Sequence, residues 1–311
     1  PYYDSDAKIL AKKQLEIVLN YSKSNQNKYW APTLDEWRKQ WMPSTDYYNK
    51  YSIFAIQHRT NENRNYLIFN FSPGLPPSYT SRRIFGNSIW VEKTLEYEFE
   101  RTFSNGKKDG RGIGFTILEG YEEEPNYPAY TNDRENVILE DGTTVEVYTK
   151  TMFYKYLPSK PKLAELGMSF DESSMAGDYD WPVNFPILRL EDMMLLYAEL
   201  LADEGNVVEA MYYVNKIRER AGCDPETAST SADALRLIKR ERRVELAGEG
   251  IRWFDLVRYG EWQSAITRMF DNYNNPDGTD KSELKNGRYL YPIPLDQMNA
   301  VPGLYSQNEG Y

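Results

Sequence analysis

The sequence is poor in the residues that carry most metal and nucleophile chemistry. Its 311 residues include one cysteine, Cys223, and one histidine, His58. A single cysteine rules out an intrachain disulfide and any zinc centre of the Cys₄ or Cys₂His₂ kind. Cys–His or Ser–His–Asp catalysis would have to use His58. That residue stands in an alternating run with Phe54 and Ile56 and reads as a packed or surface side chain of a strand. No apolar run reaches the roughly 18 residues of a membrane-spanning helix. Excess positive charge is lacking too: 37 Lys and Arg stand against 47 Asp and Glu, a net charge of −10. Nucleic acid requires a concentrated basic face, and an anionic membrane surface repels an acidic chain, so neither is an expected partner. The first residues, Pro1-Tyr2-Tyr3-Asp4, show no basic and apolar leader pattern, and the chain reads as a processed product or a fragment.

What the sequence does have is tyrosine. There are 26 Tyr and 7 Trp against 12 Phe, so rings with a polar tip outnumber the purely apolar one. Such side chains suit wet recognition surfaces, or the rim of an irregular core. Hydrophobic residues make up 41% and charged residues 27%, the balance of a folded domain. A chain of this length buries about three quarters of its unfolded surface, in one large or two ordinary domains.

Along the chain, Ala7, Ala11, Leu15 and Val18 predict a helix over 6–22, with Asp6 as its N-cap. A short helix is predicted from Thr33 to Trp41, where Trp37 and Trp41 share a face for packing. Ser52–Arg59 and Tyr66–Phe71 read as two strands of a hairpin around the polar run 60–65. Trp90–Phe103 fits both a strand and a helix period. From 104 to 185 the chain reads as largely irregular, with strand-like pieces at Thr144–Tyr148 and Met152–Tyr156; loops this long are usually functional or disordered. From 187 the pattern becomes helical: one helix up to Gly205, a second from Val207 to Ala221 stopped by Gly222, a third from Ser231 to Gly250 and a short fourth from Ile251 to Tyr259. Tyr197-Ala198 on the first and Glu209-Ala210 on the second fit a tetratricopeptide-like hairpin, in which small residues let the helices approach.

Most chemical motifs dissolve on inspection. Glu241 and Glu245 lie one helical turn apart, but Arg252 and Arg258 follow as their expected neutralising partners, so the segment reads as an ion network between packed helices. The run 271–280 resembles a calcium loop, yet with Gly278 in sixth place the first and twelfth positions are Tyr273 and Leu284, which cannot supply the ligands. Gly110-x-Gly112-x-Gly114 lacks the spacing of a dinucleotide fingerprint. Glu122-Glu123-Glu124 reads as a solvated charge run. No catalytic residue, metal ligand or cofactor is expected. The better candidates lie in the irregular half. Tyr79, Arg82, Arg83 and Trp90 sit in or beside the Pro/Gly-rich loop 72–78, and Tyr121, Tyr127 and Tyr130 flank Pro125 and Pro128. Rings on loops can stack on sugar faces, while Arg and Asn bind hydroxyls or carboxylates. The proposed ligand-binding set is Tyr79, Arg82, Arg83, Trp90, Tyr127 and Tyr130.

Three stretches resemble the SusD/RagB family of nutrient-binding outer-membrane lipoproteins. The first runs Ile187-Leu188-Arg189-Leu190-Glu191-Asp192-Met193-Met194-Leu195-Leu196-Tyr197-Ala198-Glu199 and continues to Asn215-Lys216-Ile217-Arg218-Glu219-Arg220-Ala221-Gly222. The second is the charged segment Glu241–Arg258. The third is Tyr289-Leu290-Tyr291-Pro292-Ile293-Pro294, with Gln307-Asn308-Glu309-Gly310-Tyr311 at the end. The usual pattern has Pro where Glu309 stands, and the family's leader, lipid-bearing cysteine and first helical repeats have no counterpart here.

The resemblance implies a mainly α fold: a tetratricopeptide-like helical scaffold with a large irregular, loop-rich region and a few short strands. It implies a single SusD/RagB-like domain over 1–311 that lacks its N-terminal part, with helical 1–50, irregular ligand-binding 51–185, helical hairpins at 186–260 and an extended 261–311. It also implies a binding protein, not an enzyme, on the outer face of the outer membrane. Such a protein captures glycan, or in some branches peptide, and passes it to a SusC-like TonB-dependent transporter, touching the membrane only through a lipid anchor outside this chain. The matching stretches are scaffold and carry no ligand residues across. The alternatives from other classes are a tetratricopeptide-type scaffold binding peptide in a helical groove, and a glycoside hydrolase using paired carboxylates.

Overall fold

The helical half follows the apolar periodicity closely. In a computed structural model that describes residues 5–43, 50–63, 65, 74–82, 90–127, 133–139, 141–266 and 290–308, helix α1 spans Ser5–Ser24. Helix α2 spans Leu34–Lys39, and the Thr33 hydroxyl accepts the Glu36 amide at its N-terminus. Later in the chain come α5 (Leu190–Asp203), α6 (Val207–Ala221), α7 (Ser231–Glu245) and α8 (Arg252–Tyr259). Ala198, Ala210 and Ala234 are fully buried in one apolar cluster with Leu195, Val214 and Ile238. Absent side-chain bulk at these alanines lets α5, α6 and α7 pack closely. Helix α1 joins that cluster through Leu15 and Val18, while Ala7 and Ala11 of its expected stripe are exposed and Asp6 lies in its first turn instead of capping it; Tyr197 donates a 3.0 Å hydrogen bond to Glu16. Gly222 adopts φ 78° and closes α6 as expected.

Two boundaries differ from the sequence reading. Residues Phe185–Arg189 are a strand, β6, and the helix begins at Leu190. β6 pairs antiparallel with β1 (Ser52–Ile56), aligning Ser52 with Arg189 and Ala55 with Pro186. The second strand expected for a hairpin with β1, Tyr66–Phe71, lies outside the described residues. Helix α7 stops at Glu245, five residues short of the expected Gly250. Gly248 and Gly250 both adopt φ 78°, a left-handed geometry that a helix cannot continue through.

The other half is built from short pieces around a core of rings. Helix α3 (Lys93–Glu100) settles the ambiguity of Trp90–Phe103, and the Glu92 carboxylate caps it by accepting the Thr94 and Leu95 amides. β2 (Ile117–Leu118) pairs with β5 (Met152–Phe153), and β3 (Arg134–Ile138) with β4 (Thr144–Tyr148), all antiparallel. Helix α4 (Lys160–Glu165), started by Ser159 and Pro161, has no counterpart in the sequence reading. Trp37, Trp41, Phe115, Tyr154, Tyr156 and Trp181 are buried together, with Trp37 and Trp41 edge to face at 6.0 Å. The Gly110–Gly114 run is a packing joint. A Cβ on Gly112 would stand 2.6 Å from the Phe99 ring, so only glycine fits there.

A buried ion network joins the halves, as the density of charge in 241–258 suggested, but with different partners. Glu245 accepts from Arg111 at 2.6 Å, from Arg189 and Arg220 at 2.7 Å each, and from the Trp37 indole at 3.0 Å. Glu241 binds Arg111 at 2.6 Å and Arg218 at 3.1 Å. Glu249 binds Arg189 and Lys155. The expected partner Arg258 instead holds Glu199 and Asp255, because α8 turns away after Gly250. Burial pushes Glu245 up, but Arg220, Arg189 and Arg111 more than reverse this and hold its carboxyl well below the usual range. Burial pushes the Lys155 ammonium down to about 8, against the raising effect of Glu249. Among the described residues no helix is long and apolar enough to cross a membrane.

Candidate functional site

The structure brings two of the loop tyrosines, Tyr79 and Tyr121, into ring contact, and Tyr127 stands near enough to Tyr121 to act on its phenol. Tyr79 ends a tight turn in which its N–H donates to the Pro76 carbonyl at 2.8 Å. The turn is fastened to the start of α4: the Lys160 amide donates to the Tyr79 carbonyl at 2.8 Å, and Lys160 Nζ to the Pro77 carbonyl at 2.7 Å. The Tyr79 ring packs 6.1 Å from the rings of both Tyr121 and Tyr154. Tyr121 donates to the Gly74 carbonyl at 3.2 Å. The loop that carries it closes on itself, because Glu124 and Tyr127 exchange two 2.9 Å main-chain hydrogen bonds. That closure holds Tyr127 near Tyr121.

The result is a half-buried ring cluster rimmed by acids. Burial raises the Tyr79 phenol first, and the Glu122 and Glu124 carboxylates raise it further. Burial also raises Tyr121, with Tyr127 adding to the effect. Both phenols therefore stay protonated donors at neutral pH, beside carboxylates that only accept. The side chains of Glu122 and Glu123 are exposed, consistent with a solvated run.

Arg82 lies beside this cluster, in an open hollow of about 630 Å³ lined by Ser81, Lys160, Phe170, Asp171, Glu172, Ser173 and Met175. Its guanidinium donates to the main-chain carbonyls of Glu172 and Met175, so it anchors the loop wall. Ser173 donates to Asp171 at 2.6 Å, and this bond and the Ser173 amide lower the Asp171 carboxyl. Lys160, Asp171 and Ser173 were missed in the sequence. The one signal for them was the Ser159-Lys160-Pro161 helix start.

Trp90 is placed elsewhere. It bridges to Met152 and lines a cavity of about 380 Å³ with Leu95, Phe153, Leu246, Ile251, Trp253 and Leu256, whose rim includes Glu92, Arg243 and Arg252. Trp253, carried by α8, was not singled out in the sequence. Arg83 and Tyr130 lie outside the described residues, as does the run 271–280. His58 lies just past the end of β1 and not within the strand, its Nδ1 3.3 Å from the Asn63 carbonyl.

A raised carboxyl does occur, at Glu96. Burial, then the carboxylates of Glu100 and Glu119, push it up to about 8. A glycosidase acid has that property, but Glu96 is fully buried and a polymer cannot reach it. The accessible arrangement is the ring cluster. It can stack on a flat apolar face and exchange hydrogen bonds around it.

Comparison with known proteins adds the relationship. Residues 16–311 match the family model described as the SusD family. A SusD-like protein P38 from Formosa agariphila is 32% identical over 143 residues, covering 42% of this chain and 28% of that protein. Among solved structures, a SusD superfamily protein from Parabacteroides distasonis superposes with a TM-score of 0.65 at 20% identity, covering 100% of this chain and 59% of the other. Surface glycan-binding protein A from Bacteroides thetaiotaomicron gives 0.62 at 19% identity, with 98% and 60% covered. The chain thus spans about three fifths of these solved structures, and a smaller share of the curated relative.

Proposed function

The chain belongs to the SusD family, and we propose from that premise that it is a glycan-binding protein of the cell surface, not an enzyme. The observation that carries this reading is the Tyr79–Tyr121–Tyr127 cluster beside Glu122 and Glu124. Sugar rings offer one apolar face and a rim of hydroxyls. The tyrosine rings supply the stacking surface, and phenols and carboxylates read the rim. The neighbouring hollow with Lys160, Asp171 and Ser173 extends the polar surface for further residues of an oligosaccharide. The likeness to a surface glycan-binding protein supports the ligand class.

In this reading the whole of 1–311 acts as one domain: the helical half is scaffold and the irregular half holds ligand. Captured glycan passes to a TonB-dependent transporter in the outer membrane, where a lipid anchor keeps the protein at the outer face. A shallow, wet site binds weakly, which suits hand-over. Within the proposed set, Tyr79 and Tyr127 make ligand contact, Arg82 shapes the wall, and Trp90 belongs to a separate opening.

Calorimetric titration with a panel of oligosaccharides and peptides tests this. Tyr79→Ala and Tyr127→Ala are each expected to weaken glycan binding tenfold or more, with Trp90→Ala near wild type. Loss confined to Trp90→Ala moves the site to the apolar cavity. Binding of peptides alone replaces the glycan reading, and release of reducing ends from a polysaccharide replaces the binding reading with hydrolysis.

A further inference from the structure

Helix α3 carries Glu96 and Glu100 four residues apart, so both carboxylates project from the same side. Glu119 follows directly on β2. One carboxylate oxygen from each of the three lies within 4.8 Å of the other two. Two oxygens at that limit can each meet a calcium ion at a bond of about 2.4 Å, and side-chain rotation that draws all three to within about 4.2 Å of one another lets a single ion touch them all, whereas magnesium at about 2.1 Å needs a tighter set. The donors are all hard oxygens, which suit calcium and not the softer transition metals.

Glu96 points independently to a cation. Its side chain is fully buried, and although the Tyr148 main chain and Glu119 stand close to it, neither of its oxygens accepts a hydrogen bond of ordinary geometry. Buried polar atoms are nearly always partnered, because desolvation is otherwise uncompensated. The cations nearby serve a different acid. Arg134 donates to Glu100 at 2.7 and 3.2 Å, and Lys108 Nζ is 3.5 Å from Glu100. The side chains of Arg134 and Lys108 are 34% and 45% exposed, so both can swing into water.

We propose that Glu96, Glu100 and Glu119 form a calcium site that clamps α3 to the end of β2. Glu96 and Glu119 supply the inner ligands. Glu100 is shared with Arg134 at the outer edge, and water completes the shell. Glu119 stands two residues before Tyr121, so the site supports the loop-rich half at the root of the tyrosine loop.

Terbium luminescence on the 311-residue chain tests this, with terbium as the calcium surrogate. Tyr148 is a nearby sensitiser, since Arg134 stands 4.1 Å from its ring centroid. One calcium-displaceable terbium site is expected, with Glu96→Gln weakening it at least tenfold. Calcium is expected to raise the Tm of the wild type and not that of the variant. Lys108→Ala changes only an exposed side chain, and removing its charge is expected to tighten terbium binding several-fold; this variant carries the test if Glu96→Gln does not fold. The proposal is overturned if no terbium signal yields to calcium, or if Lys108→Ala leaves the affinity unchanged or weaker. It is also overturned if Glu96→Gln is more stable than a wild type indifferent to calcium, because the acids would then simply share a proton.

Discussion

The two halves of the molecule are held together by different means. In α5–α7 the core is aliphatic and local: Leu195, Ala198, Val214 and Ile238 meet because neighbouring helices present regular stripes. Around Trp41 and Phe115 the core is aromatic and non-local, drawing on α2, on the strand end at Met152 and on Trp181. The first half is a scaffold whose geometry follows from periodicity. The second leaves turns and rings at its surface, and the candidate site is there. The difference shows how a regular framework can carry an irregular, recognition-bearing cover: the network around Glu245 ties one to the other.

The strongest way to break that division is at Glu245. Glu245→Gln leaves Arg111, Arg189 and Arg220 with one fewer buried anion, and a loss of roughly 3–5 kcal/mol is expected, as when one partner of a buried pair is removed. Urea unfolding measures it. The pH dependence follows from the same group. Its folded pKa lies below the unfolded value, so its stabilisation is complete above the ordinary carboxylate range of about 4.3 and drains away as pH falls through the folded value. The wild type should therefore lose stability on acidification more steeply than Glu245→Gln.

A smaller break lies at the joint. Gly112→Ala places a methyl 2.6 Å from the Phe99 ring, and overpacking of this kind is worth about 1–3 kcal/mol. The Tm should fall, while far-ultraviolet circular dichroism of the helices stays unchanged. If instead the variant matches wild type, α3 is less tightly fitted to the glycine run than the structure indicates.

How much was legible beforehand follows the same division. Helices α6 and α8 were readable because each carries apolar residues at helical spacing and ends at a glycine, Gly222 and Gly260. Strand β6 was misread as helix because Ile187, Leu188 and Leu190 satisfy a helical period, and only pairing with β1, some 130 residues earlier in the chain, decides otherwise. Tertiary pairing overrode local pattern there. At the site, Tyr79 and Tyr127 were singled out by type and by neighbouring proline. That Tyr121 joins them, and that Trp90 does not, depends on how two loops fold back, which no local signal encodes. The partners of Glu245 were missed for the same reason: Arg111 and Arg189 are distant in sequence.

At the site itself the expected change is in binding more than in folding. Tyr79→Ala removes a half-buried ring packed against Tyr154, so about 1 kcal/mol of stability should be lost along with glycan affinity. Tyr79→Phe keeps the ring and removes only the phenol. If it retains affinity, stacking is what the ligand needs; if it loses as much as alanine, the hydroxyl reads the sugar rim. The helical half should report neither change.

The smallest expected effect sharpens the comparison through an ion pair of the same chemistry in a different place. Lys12 meets Glu204 at 2.5 Å, a distance close to that of the pairs around Glu245. The hydrogen bond to Glu204 raises the Lys12 ammonium, as a salt bridge should. Yet the two side chains are 26% and 50% exposed, so water screens the attraction and solvates either partner left alone. Lys12→Ala should cost only about 0.2–1 kcal/mol, and less in high salt. Measured beside Glu245→Gln under the same conditions, it separates burial from charge. A comparable loss at both sites would mean that the network matters through its charges alone; a several-fold gap, insensitive to salt only at Glu245, would mean that desolvation makes the joint between the halves as rigid as it is.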